Sequence, residues 1–69
     1  MTQAQYIGQQ IAALRLSAGL TQKELGGLCG WDGGRQSRIE SGKFNLTLKT
    51  LELVSNALGK RLRVGFDGV

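Results

Sequence analysis

The sequence predicts a compact, mainly α-helical domain of four to five helices that closes with a single β-strand. Three observations predict it. Capping residues and glycines bracket short apolar-periodic segments along most of the chain. The central stretch, Thr21 to Lys43, reads as helix, glycine turn, helix. After Gly59 the period changes from helical to alternating: Leu62, Val64 and Phe66 interleave with Arg61, Arg63 and Gly65.

Each element has its own local signals. Thr2 and Gln5 have the spacing of a capping box, in which each side chain satisfies a backbone N–H of the first turn. Ile7, Ile11, Leu14 and Ala18 then recur on one helical face, and Gly19 is placed to end the helix in a left-handed conformation. Gly8 weakens the early turns by about 1 kcal/mol relative to alanine. Thr21 and Glu24 form a second capping box, followed by Leu25 and Leu28 at helical spacing and Gly30 as terminator. Asp32 is the N-cap of a short segment carrying Arg35, Arg38 and Ile39, which stops at Gly42. Thr47 caps the last helix. Leu48, Leu51, Val54 and Leu58 are its expected buried face, Ala57 allows close approach, and Gly59 ends it.

Composition narrows the function. The chain has 69 residues and reads as one domain over 1–69, of a size that buries only about 60% of its unfolded surface. One cysteine and no histidine exclude an internal disulfide and remove the usual zinc ligands; Cys29 reads as a small buried thiol. No apolar run approaches the roughly 20 residues of a membrane span. The N-terminus, Met-Thr-Gln-Ala-Gln, is polar and unlike a secretory signal, so a cytoplasmic location is expected. The five acidic residues offer no catalytic constellation: there is no histidine base, phosphate-cradling loop or nucleophile–base pair. The expectation is therefore no enzyme, no cofactor and no metal. The net charge of +4 supports a polyanionic partner only weakly. Position says more: Arg35, Arg38 and Lys43 lie in or just after the third helix, where a helix-turn-helix presents itself to the DNA major groove. Lys60, Arg61 and Arg63 form a second basic cluster.

The central stretch resembles the XRE family of bacterial and phage regulators, the lambdoid repressor type. Thr21, Gln22, Leu25, Gly30, Arg38, Ile39, Glu40, Gly42 and Lys43 match the family pattern without a gap. The resemblance runs from about Ile7 to Leu58 and implies a lambda-repressor-like fold with a DNA-binding site spread over Thr21, Gln22, Gly33, Gly34, Arg35, Gln36, Ser37, Arg38, Lys43 and Asn45. It makes Gln22 and Lys43 phosphate contacts, which fix register and carry no sequence information; an ordinary exposed side chain is the alternative for each. It also implies a structural pair, Arg15 with Glu40, tying the first helix to the third.

The base-reading positions depart from the family. Gly33 and Gly34 stand where side chains usually reach the bases, and Gln36 stands where the family has an apolar core residue. The expectation is a recognition helix that starts late, near Arg35, or is rotated, with readout falling to Arg35, Gln36, Ser37 and Arg38. Arginine suits guanine O6 and N7; for Arg35 a phosphate contact is the equal alternative, and Arg38 is the stronger candidate for a base. Trp31 is expected to pack across the two motif helices, with partner binding as the other reading.

The resemblance implies a transcriptional repressor, controlled by its own concentration or by a partner protein because the chain has no room for a sensing domain. The terminal strand most resembles HipB-like antitoxins, which implies a toxin–antitoxin operon and a HipA-like kinase toxin as partner. Phage Cro or repressor proteins, restriction–modification controller proteins, and a protein-interaction module without DNA contact are the alternatives. The strand itself argues for a homodimer. Nothing else in the chain offers it a ladder, and an open edge invites association. An antiparallel ribbon about a two-fold axis, with Leu62, Val64 and Phe66 facing the helices, satisfies it and implies a palindromic operator.

Overall fold

The computed structural model describes residues 1–67 and contains four helices: α1 (Gln3–Ser17), α2 (Gln22–Cys29), α3 (Gly33–Glu40) and α4 (Leu48–Leu58). Both capping boxes form. The Thr2 hydroxyl accepts from the Gln5 amide and the Thr21 hydroxyl from the Glu24 amide, while the Gln5 and Glu24 side chains accept from the two cap amides. Asp32 caps α3 through the Arg35 N–H at 2.7 Å, and Thr47 caps α4 through the Thr50 N–H. Gly30 ends α2 with φ of 96°. This lets the Trp31 N–H turn back to the Gly26 carbonyl at 2.8 Å and aims the chain into α3.

The core is small: Ile11, Leu25, Cys29, Ile39 and Val54, one or two residues from each helix, with Ile7, Leu20, Trp31, Phe44, Leu46, Leu51, Ala57 and Leu58 packed around them. Burial pushes the Cys29 thiol above its ordinary pKa, keeping it protonated. Gly8 has a positive role that its low helix propensity conceals. A Cβ there would stand 2.5 Å from the Glu40 carbonyl oxygen and 2.6 Å from that of Ile39. Its bare backbone is what allows α1 to lie against the end of α3.

Several sequence expectations are corrected. Leu28 and Leu48 are 63% and 59% exposed and lie outside the core, and Leu14 and Ala18 are also exposed. Short helices bury a narrow stripe, and these residues fall at its margin or beyond it. The third helix does not start late: it begins at Gly33, immediately after its cap. No strand forms among the described residues. Over 60–66 Leu62 is half-buried, in a groove between α1 and α4, whereas Val64 and Phe66 are exposed. A strand requires a ladder, and no segment among the described residues pairs with 60–66.

Candidate nucleic-acid interface

The site is organised by a polar network that the sequence only half reveals. Glu40, on the inner face of α3, accepts from Arg15 through both oxygens: Nε to Oε2 at 2.8 Å and Nη2 to Oε1 at 3.0 Å. The two side chains are only 11% and 6% exposed. The remaining Arg15 nitrogen, Nη1, donates to the Leu20 carbonyl at 2.8 Å, so the guanidinium fixes the loop before α2 as well. Gln22 Nε2 donates to Glu40 Oε1 at 3.3 Å, and Gln36 Nε2 donates to Glu40 Oε2 at 2.9 Å. Burial alone would raise the Glu40 pKa. The hydrogen bonds from Arg15, Gln36 and Gln22, with the Arg15 charge, outweigh it and hold the carboxyl below its ordinary range.

Gln36 is therefore no base-reading residue, contrary to the sequence expectation. It is fully buried, its amide donates to Glu40, and its Oε1 accepts from Trp31 Nε1 at 2.8 Å. A polar residue at a core position reads as a surface residue until its partners are known. The signal was available: Trp31 brings a buried donor that needs an acceptor, and Gln36 at a core position supplies one. Trp31 is half-buried against the core.

The outer face of α3 is sparsely furnished. Ser37 and Arg38 are exposed, and the Arg38 side chain makes no hydrogen bond or salt bridge among the described residues. Gly34 is exposed; a Cβ there would lie 3.5 Å from Asp32 Oδ1 and 3.9 Å from Arg38 Nη1. The Arg38 guanidinium thus lies back over the bare first turn. Gly33 faces the other way, with a Cβ position 3.3 Å from the Lys23 Cα, and serves the close approach of α3 to α2. Arg35 stands over the Trp31 and Phe44 rings at 4.5 and 4.7 Å. Around this helix, Thr21 and Gln22 sit at the start of α2, the hydroxyl of Thr21 engaged in its cap. Lys43 and Asn45 are exposed in the loop after α3.

Two short helices joined at a left-handed glycine, the second presenting basic side chains and bracing its inner face on the first helix, define a helix-turn-helix DNA-binding fold. The chain matches the helix-turn-helix family over residues 11–64 and belongs to it, in the XRE type. Its structure is similar to that of the restriction-modification controller protein C.AhdI from Aeromonas hydrophila, with a TM-score of 0.81, 29% sequence identity and 84% of each chain covered. No curated protein sequence matches. The protein is a DNA-binding transcription regulator, of a family of regulators rather than enzymes. No helix among the described residues is long and apolar enough to cross a membrane.

Proposed function

We propose that the chain controls its own operon as a homodimer on a palindromic operator, in the manner of a restriction–modification controller. The observation that carries this reading is the outer arc of α3. Arg38 is exposed, without a side-chain partner among the described residues, on a helix braced from behind by the Arg15–Glu40 pair. Arg38 reads a guanine in the major groove, with Ser37 beside it and Gly34 leaving the space. Gln22, Lys43 and Asn45, with the first turn of α2 opened by Thr21, hold phosphates on either side. The likeness to C.AhdI supports the controller role over the antitoxin role. The alternating segment over 60–66 is what favours an antitoxin with a kinase toxin as partner, and that remains the second reading. A restriction–modification gene pair beside the coding sequence supports the first, a toxin gene the second.

The dimer follows from the unsatisfied C-terminal segment. Exposed Val64 and Phe66, 66% and 86% accessible, gain cover if 60–66 of two copies pair as an antiparallel ribbon. This sets the two α3 helices about one DNA turn, roughly 34 Å, apart. Footprinting on the promoter upstream of the gene tests the reading; an unprotected promoter at low salt defeats it. Sedimentation of a chain lacking residues 61–69 tests the ribbon. Monomers are expected, and a persistent dimer moves the interface to the helices.

A further inference from the structure

Arg35 occupies the flank of α3. At about 100° per residue it falls between exposed Arg38 and buried Ile39. Its guanidinium carbon stands 4.5 Å from the Trp31 ring centre and 4.7 Å from that of Phe44. Its Nε is the one buried side-chain polar atom without a partner among the described residues, while Nη1 and Nη2 reach the surface and donate to no described residue. No carboxylate among the described residues pairs with the charge. The stack is not loose. Trp31 is pinned by its 2.8 Å bond to Gln36, Gln36 by Glu40, and Glu40 by Arg15 on α1. The Trp31 ring beneath the guanidinium is thus fixed by a chain of contacts that ends on α1.

A guanidinium held against two rings, with its outer edge free, is ordered before any ligand arrives. It presents two parallel donors to an anion lying in its plane. The rings also restrain it from extending into a groove as a base reader must. Phe44, which contributes one ring, sits between exposed Lys43 and Asn45. We propose that Arg35 is a preset contact for one backbone phosphodiester beside the recognition site, its geometry supplied by Trp31 and Phe44, and that base reading is left to Arg38. The proposal rests on the DNA-binding reading above.

The test uses the full chain and a duplex selected by it from a random pool. Single phosphates of that duplex are replaced by neutral methylphosphonates, and single base pairs are substituted in parallel. At one phosphate of each half-site the wild type should lose affinity on neutralisation, and Arg35→Gln should lose none further there. The slope of log affinity against log salt should fall by about 0.9 for each contact removed. The ranking of base-substituted duplexes should match that of the wild type. Phe44→Leu keeps Arg35 but removes a ring, and should shrink the penalty at the same phosphate. It carries the test if Arg35→Gln fails to fold. Should Arg35→Gln flatten the preference at one base pair while every methylphosphonate penalty persists, the phosphate assignment is overturned. An unchanged phosphate pattern in Phe44→Leu overturns the role of the rings. A wild type that selects no duplex defeats the DNA-binding reading itself, and the proposal falls with it.

Discussion

The two faces of α3 solve opposite problems within eight residues. On the inner face every side-chain oxygen and nitrogen of Gln36 and Glu40 has a partner, and Ile39 between them is fully buried. On the outer face Gly34 contributes no side chain, while Ser37 and Arg38 are exposed. A buried polar network tolerates no missing member, because the group left behind keeps its desolvation cost and loses its bond. An open face has no such constraint. Stability should therefore be concentrated on one side of the helix and recognition on the other, and substitutions should separate the two.

The sharpest break in that comparison comes from Glu40→Ala. Removing the carboxylate leaves Arg15 charged and nearly enclosed and strips partners from Gln36 and Gln22, at a cost of about 3–5 kcal/mol. At about 4–8 °C per kcal/mol for a domain of this size, the melting temperature should fall by more than ~10 °C. Thermal denaturation checks it; an unchanged midpoint would mean the pair contributes nothing. Acid should mimic the substitution. Because the folded state holds the Glu40 carboxyl below its ordinary range, its stabilisation is complete above the unfolded pKa. It is lost as the pH falls from there through the lower folded value. Stability of the wild type should thus drop on acidification, and the Glu40→Gln variant should show a shallower drop.

Next in size is Gly8→Ala, which probes the same face from α1. The new methyl would meet two carbonyl oxygens at the end of α3, so backbone must move. Overpacking of this kind costs about 1–3 kcal/mol, opposite in sign to the gain alanine usually brings to a helix. A denaturant midpoint above that of the wild type would show that the crossing is looser than the structure has it. On the outer face, Arg38→Ala should cost about 1–3 kcal/mol of binding to the preferred duplex and relax one guanine position. Its melting temperature should stay at the wild-type value. Loss of stability without loss of preference would invert the comparison.

How much of this was legible beforehand depended on how local the cause was. Caps are written in residues three apart, so Thr2, Thr21, Asp32 and Thr47 announced all four helix starts. The pairing of Arg15 with Glu40 came from resemblance, since nothing local links residues so far apart in sequence. Leu48 misled because a period alone does not tell the middle of a buried stripe from its margin. Gln36 misled for the opposite reason. Its burial depends on Trp31 and Glu40 arriving as partners, and the readable sign of that lay in the indole donor of Trp31 rather than in Gln36 itself. By propensity Gly8 is a weak helix former, whereas its value lies in a contact with carbonyls more than thirty residues away.

The smallest expected effect is the most discriminating, because it sets two adjacent glycines against each other. Both lie in the first turn of α3, where glycine is costlier than alanine by about 0.5–1 kcal/mol. At Gly34 a methyl would meet Asp32 Oδ1 at 3.5 Å and Arg38 Nη1 at 3.9 Å, ordinary van der Waals contacts on an open face. Gly34→Ala should therefore stabilise the fold by about that propensity difference. It should also crowd the Arg38 guanidinium and lower discrimination among base-substituted duplexes. At Gly33 the methyl would sit 3.3 Å from the Lys23 Cα and 3.4 Å from its amide nitrogen, both backbone atoms of α2. Gly33→Ala should forfeit the propensity gain to strain between the two helices, leaving stability level or lower. Paired melting curves and binding to a common panel of duplexes measure both. Equal stabilisation at the two positions would show that α2 and α3 are not held as closely as the structure places them, and that the inner face is the more forgiving of the two.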